Sequence, residues 1–205
     1  MMTHRNLVAA LLVSALTACD ETTPHAIDAF NAPLGFKLKD ATFSEITASI
    51  GAAIEFRLPK SHNEYGVCYR AGADGEIVVF MTGDEFGGPE KLLLGVAIHE
   101  HNTLDYPCAG SALVVDDLMI GSIKLGANFE KMDRLIASTE VRTAANISTF
   151  FIEQRRDLTP EEIERFSDRF AAHEIPSGVD TVLGIWGIFE NERARVIGVW
   201  MEETY

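Results

Sequence analysis

His99-Glu100-His101 is where residue types and spacing come nearest to chemistry. On an extended strand alternate side chains share a face, so His99 and His101 would point the same way, a spacing that zinc and copper sites use. A metal needs a third and usually a fourth ligand, and Asp105 is the near candidate. His25, His62 and His173 are scattered, with no Cys or His at ligand spacing. The expectation is therefore no cofactor, with His99 and His101 kept as metal candidates. The acidic doublets Asp84-Glu85, Asp116-Asp117, Glu161-Glu162 and Glu202-Glu203 do not make paired-carboxylate sites, because strand neighbours point to opposite faces. Asp116-Asp117 also lacks the alternating oxygen ligands and glycine of a calcium loop. Gly87-Gly88-Pro89 has no following Lys-Ser/Thr, which excludes a phosphate loop. No G-x-S-x-G occurs. Cys68, between Val67 and Tyr69, sits in an apolar strand pattern and reads as structural sulfur. The chain is expected not to be an enzyme.

These residues depend on a body whose charge is lopsided. Acidic residues number 31 against 17 Lys plus Arg, a net charge of −14. Such a surface repels phosphate backbones, which excludes nucleic acid, and it favours encounter with a cationic partner. An apolar fraction of 47% is that of an ordinary globular chain.

The amino terminus bears on compartment. Arg5 precedes an apolar run from Leu7 to Leu16, too short to span a bilayer, and Leu16-Thr17-Ala18-Cys19 follows. The tetrapeptide resembles the lipobox of bacterial lipoproteins. That resemblance implies cleavage before Cys19, lipidation of Cys19 (diacylglyceryl on sulfur, acyl on the new amino group), and a membrane anchor made of lipid. Loss of residues 1–18 removes Arg5 and takes the net charge to −15. Asp20 directly after the lipidated Cys resembles the inner-membrane retention signal of enteric lipoproteins, so the expected location is the periplasmic side of the inner membrane. Export places Cys68 and Cys108 in an oxidising compartment, where an even pair bridges. The loop so closed is about 40 residues long, which gives roughly 4 kcal/mol of stabilisation in the chain-entropy model.

Residues 19–33 are polar, carry Pro24 and Pro33, and read as a tether. An internal repeat follows. Residues 36–50, FKLKDATFSEITASI, resemble 123–136, IKLGANFEKMDRLI. Phe43, Ile46 and Ile50 align with Phe129, Met132 and Ile136 at helical spacing, behind the N-caps Thr42 and Asn128; Thr42 with Glu45 makes a capping box. Leu94–Glu100 aligns with Ile197–Glu203, both strand-like. Strands are expected near 54–58, 66–70, 76–82 and 92–100, and near 147–155, 181–189 and 195–203, with turns at Asp74-Gly75 and Glu190-Asn191-Glu192. A further helix near 159–173 opens on Thr159, Pro160 and Glu162, with Ile163, Phe166 and Phe170 as its buried stripe. Trp186 and Trp200 fall on the last two strands and read as sheet core.

The expected fold is α+β: two similar halves, 34–110 and 111–205, each a helix plus an antiparallel meander, forming one body. A short "KLG" segment, a helix and a meander, doubled in an exported chain, resembles the tandem β-lactamase-inhibitory proteins and, in single copy, the small accessory lipoprotein of the outer-membrane barrel-assembly machine. The resemblance implies a non-enzymatic protein-binding or envelope-associated module that offers a curved sheet to another protein. The alternatives are a periplasmic inhibitor or immunity protein against a cationic hydrolase, and a hydrolase or metal-binding protein using the His99/His101 strand.

Overall fold

The computed structural model describes residues 26–59, 64–71, 75–83, 91–111, 113–114, 117–168 and 175–204. The fold is α+β and mostly sheet. Its elements are α1 (Phe43–Ile50), β1 (Glu55–Arg57), β2 (Glu64–Ala71), β3 (Glu76–Gly83), β4 (Gly95–His99), β5 (Ala109–Gly110), β6 (Met119–Ile120), β7 (Ile123–Lys124), α2 (Phe129–Ile136), β8 (Glu140–Ala144), β9 (Ile147–Arg156), α3 (Pro160–Ser167), β10 (Val179–Glu190) and β11 (Arg193–Thr204). One sheet runs β1-β2-β3-β4-β11-β10-β9-β8, antiparallel throughout, and β5 adds in parallel to β2. β4 and β11 join in its middle, with Ile98 opposite Ile197 and Ala97 opposite Gly198. β6 and β7 form a separate small hairpin.

The main core lies on one face of this sheet. Phe43 and Ile46 of α1, Met132 and Ile136 of α2, and Ile120 and Ile123 of the hairpin are buried there against Phe80, Ile98, Phe150 and Leu183. Both caps form as their residues dictate. Thr42 Oγ1 accepts from Glu45 N at 3.2 Å, and Thr42 N donates back to the Glu45 carboxylate at 2.8 Å. Asn128 Oδ1 accepts from Lys131 N at 2.9 Å. The segment before each helix is clasped to a strand in the same way. Lys39 N donates to Leu93 O and Leu93 N to Ala41 O; Gly126 N donates to Ala194 O and Ala194 N to Ala127 O. Lys39 and Gly126 both have positive φ, 64° and 80°.

Several expectations change. Ile27 and Phe30, placed in the tether, are buried in the core. Their apolar side chains have a sheet to cover, so the packed chain begins before residue 34, while residues 1–25, including Cys19 and Asp20, lie outside the described residues. β8 was not expected: it is an exposed edge strand without apolar alternation. The β10–β11 turn falls at Asn191-Glu192 with φ of 50° and 64°, the left-handed pair that a two-residue hairpin requires. Asp74 is outside the described residues.

Helix α3 starts on Thr159 as expected, with the full capping box to Glu162. Its inward face differs. Ile163 is 45% exposed, and Glu162 is buried instead. The reason is an ion pair: Arg156 on β9 holds both oxygens of Glu162, at 2.7 and 2.9 Å, and turns that side of the helix inward. Glu203 approaches the same guanidinium at 3.5 Å. Arg156 holds the Glu162 carboxyl far down, at about 2, against the opposing effect of burial. A carboxyl with a depressed folded-state pKa stabilises the fold above its unfolded value and loses that contribution as pH falls toward 2. Glu162→Gln should therefore cost about 1–3 kcal/mol at neutral pH, as expected for a hydrogen bond to a charged group. It should also flatten the loss of stability between about pH 4.5 and 2, measured by urea unfolding across that range.

Candidate binding face

The second face of the sheet is built differently in its two parts. Over β2 and β3 it carries Cys68, Ile77 and Val79, and the segment 101–108 packs on them through Tyr106 and Cys108. Cys68 and Cys108 are joined by a disulfide, with Cα atoms 4.4 Å apart. Asn102 shapes the segment: its Oδ1 accepts from Tyr106 N at 2.9 Å and its Nδ2 donates to Tyr106 O at 2.8 Å. The Tyr106 ring then rests on Phe56, 5.0 Å between centroids, and edge-on to His99 at 6.0 Å.

This arrangement separates the two histidines. β4 ends at His99, so strand alternation does not extend to His101. His99 is 7% exposed beneath Tyr106, and burial pushes its pKa down to about 4. His101 is exposed beyond the strand end, near Gly75. Asp105 is exposed too, in the left-handed region at φ 52°. Among the described residues no three His, Cys, Asp or Glu come together as a metal site. A shallow cleft of about 480 Å³ beside the disulfide is lined, among the described residues, by Arg70 with Ala52, Ala53, Ile54 and Pro107 around it.

Over β9, β10 and β11 the same face is uncovered among the described residues. Cross-strand pairing places Trp186 beside Gly198 and Trp200 beside Gly184. Each indole lies over the glycine of the other strand, and a Cβ at either glycine would overlap the ring. Phe151 of β9 meets Trp200 edge-on at 6.2 Å, and the Arg142 guanidinium lies 4.8 Å over the Phe151 ring. Val182 and Ile188 complete an apolar strip whose members are all half-buried. Trp186 and Trp200 are thus half-buried, each seated on a glycine, and stand outside the buried core in which the strand pattern predicts them. At the border Arg142 pairs with Glu140 through two bonds, at 2.6 and 3.0 Å, and Arg155 with Asp180 at 2.8 and 2.9 Å.

The signal for this face was present in the sequence. Val182 to Phe189, VLGIWGIF, is apolar on both alternating faces, a pattern of strands covered on both sides. Leu183 and Ile185 are fully buried on the core side, while Val182, Trp186 and Ile188 meet solvent on the other. Phe151 was missed because its strand was read as ordinary sheet. No family model, curated protein or solved structure matches the chain.

Two outcomes test this geometry. Gly198→Ala and Gly184→Ala should each destabilise by roughly 1–3 kcal/mol, as overpacking does, since an indole must leave its seat; chemical denaturation measures the loss. His99 takes up its proton more readily unfolded than folded, so its burial leaves stability intact above about pH 6.5 and erodes it as pH falls toward 4. His99→Phe should remove that slope, worth up to about 3 kcal/mol, from unfolding curves taken between pH 6.5 and 4.

Proposed function

We propose that this chain is a non-enzymatic protein-binding module, held to the periplasmic side of a bacterial membrane by lipid on Cys19, and that it binds its partner on the face carrying Trp186 and Trp200. The observation that carries the reading is the half-buried apolar strip on β9–β11, which nothing among the described residues covers. Apolar side chains that strand patterning assigns to a covered face, rimmed by ion pairs, are the composition of a recognition surface. Tryptophan at the centre of such a patch supplies large, rigid contact area and is enriched among residues that dominate binding energy.

The fold supports the reading through its internal symmetry. α1 with β1–β4 and α2 with β8–β11 are, on this proposal, two copies of one unit, related by an approximate two-fold axis through the β4–β11 ladder. The matching caps and the matching clasps, each with a positive-φ residue after Lys-Leu, favour duplication. The clasps align Leu93 with Ala194, two residues out of step with the alignment of Leu94 and Ile197. A doubled meander forms one broad sheet with a large free face, the arrangement implied by the resemblance to tandem inhibitory proteins.

The test is capture from envelope extract by the lipidated full chain. Trp186→Ala/Trp200→Ala should weaken capture of the specific partner at least tenfold, consistent with the loss of interface hot spots, while His99→Phe/His101→Ala should leave it unchanged. Capture that survives the tryptophan changes and fails with the histidine changes would favour the hydrolase or metal reading. For the anchor, Cys19→Ala should move the protein from the membrane to the soluble fraction at wild-type yield, because two or more acyl chains give stable anchoring and none gives no hold. Asp20 leads to inner-membrane recovery of the native protein, checked by density fractionation of the host envelope.

A further inference from the structure

We infer that the partner presents an extended loop that lies beside residues 101–108, continues their layer across β11, β10 and β9, and sets a lysine or arginine side chain between Glu153 and Glu202. The inference rests on the protein-binding reading and adds the shape and charge of what binds.

The first argument is continuity. Residues 101–108 cover the second face as far as His99, where Tyr106 rests. The cross-strand rows do not stop there. Ile77 pairs with His99, His99 with Val196 and Val196 with Ile188; Val79 pairs with Ala97, Ala97 with Gly198 and Gly198 with Trp186; Met81 pairs with Gly95, Gly95 with Trp200 and Trp200 with Gly184. One apolar floor therefore runs under the covering segment and on beyond its edge. The chain shows what such a floor accepts: an irregular extended segment that lays an aromatic ring on it, as Tyr106 does on Phe56 and His99. On the uncovered part the indoles themselves are the floor, Trp200 lying over Gly184 and Trp186 over Gly198.

The second argument is charge complementarity. On the uncovered part Arg142 is neutralised by Glu140 and Arg155 by Asp180. Glu153 and Glu202 are exposed; Glu153 also lies within electrostatic range of the Arg142 guanidinium, while Glu202 makes no ion pair or hydrogen bond among the described residues. Both are cross-strand neighbours of Val182, one on each side. Their backbones are two strand spacings apart, about 10 Å, within reach of one cation above Val182. They lie two residues along from Phe151 and Trp200, so an apolar side chain over the rings and a basic one between the carboxylates fit one extended segment. A second copy of this chain does not fit: it would bring the same carboxylates face to face, on molecules each carrying a net charge of −14.

Selection of a random peptide library on the immobilised full chain tests this. The recovered peptides are expected to pair Lys or Arg with an aromatic or aliphatic residue. Glu153→Gln/Glu202→Gln, which changes two exposed groups, should weaken them about tenfold, and Trp186→Ala/Trp200→Ala at least thirtyfold. Should the tryptophan variant fail to fold, Val182→Lys at the half-buried border must abolish binding in its place. Peptides that bind the Gln variant as tightly as wild type, yet are lost with the tryptophans, overturn the cation placement and leave the protein-binding reading standing. Peptides indifferent to both variants, or no enrichment at all, overturn both. A concentration-dependent dimer abolished by Val182→Lys would make a second copy the occupant and overturn the proposal.

Discussion

The ladder between Gly95–His99 and Val196–Trp200 holds this fold together. It pairs segments about a hundred residues apart in the chain and makes one nine-stranded sheet out of strands that would otherwise form two smaller sheets. Each smaller sheet would offer a bare edge, with unpaired N–H and C=O groups ready to recruit another chain. Closing that edge strand against strand satisfies the backbone and brings Val96, Ile98, Ile197 and Val199 into one core. The same ladder fixes the second face, since Ala97 beside Gly198 and Gly95 beside Trp200 decide where the indoles can lie. Such non-local pairing closes late, because loop-closure entropy must be met before the contacts form.

The two faces then follow from what each part of the chain has available to cover them. On the core side, α1, α2, the β6–β7 hairpin and the turns around Ile27 and Phe30 provide a full layer. On the other side, among the described residues, cover comes from 101–108, and an irregular segment buries too little to hold itself down without help. The disulfide from Cys108 to Cys68 and the two Asn102 bonds supply that help. Arg193–Thr204 ends the described chain, and among the described residues no comparable segment crosses β9–β11. Half of one apolar floor is buried and half is only half-buried among the described residues, and that asymmetry is what the functional reading rests on.

Much of this was legible in the residues, for identifiable reasons. Capping is local, so Thr42, Asn128 and Thr159 announced their helices. Tight turns are local too, and Glu190-Asn191-Glu192 marked the last hairpin. The Cys68–Cys108 pair is what parity and the export implied by the lipobox resemblance predict. What escaped depends on contacts made at a distance. β8 carries no apolar alternation and becomes a strand only because β9 offers it an edge. Ile163 belongs to an apolar stripe in sequence, but Arg156, on another element, draws Glu162 inward and rotates Ile163 out. Ile27 and Phe30 sit in a polar stretch, and only the finished sheet gives them a place to be buried. The tryptophans look like core by composition; their exposure follows from cover that ends at His99, which local pattern does not encode.

The central claim is that Trp186 and Trp200 lie on an open, acid-bordered face. These are the two tryptophans of the chain, so intrinsic fluorescence reports on that face alone. Collisional quenching of the full chain by acrylamide, caesium and iodide at low ionic strength is the most direct measurement. The account predicts emission that acrylamide quenches readily, with caesium more effective than iodide because the surrounding potential is negative, and a gap between the two ions that closes as salt screens it. Blue-shifted emission that resists all three quenchers would mean that the indoles are covered, and would contradict the account.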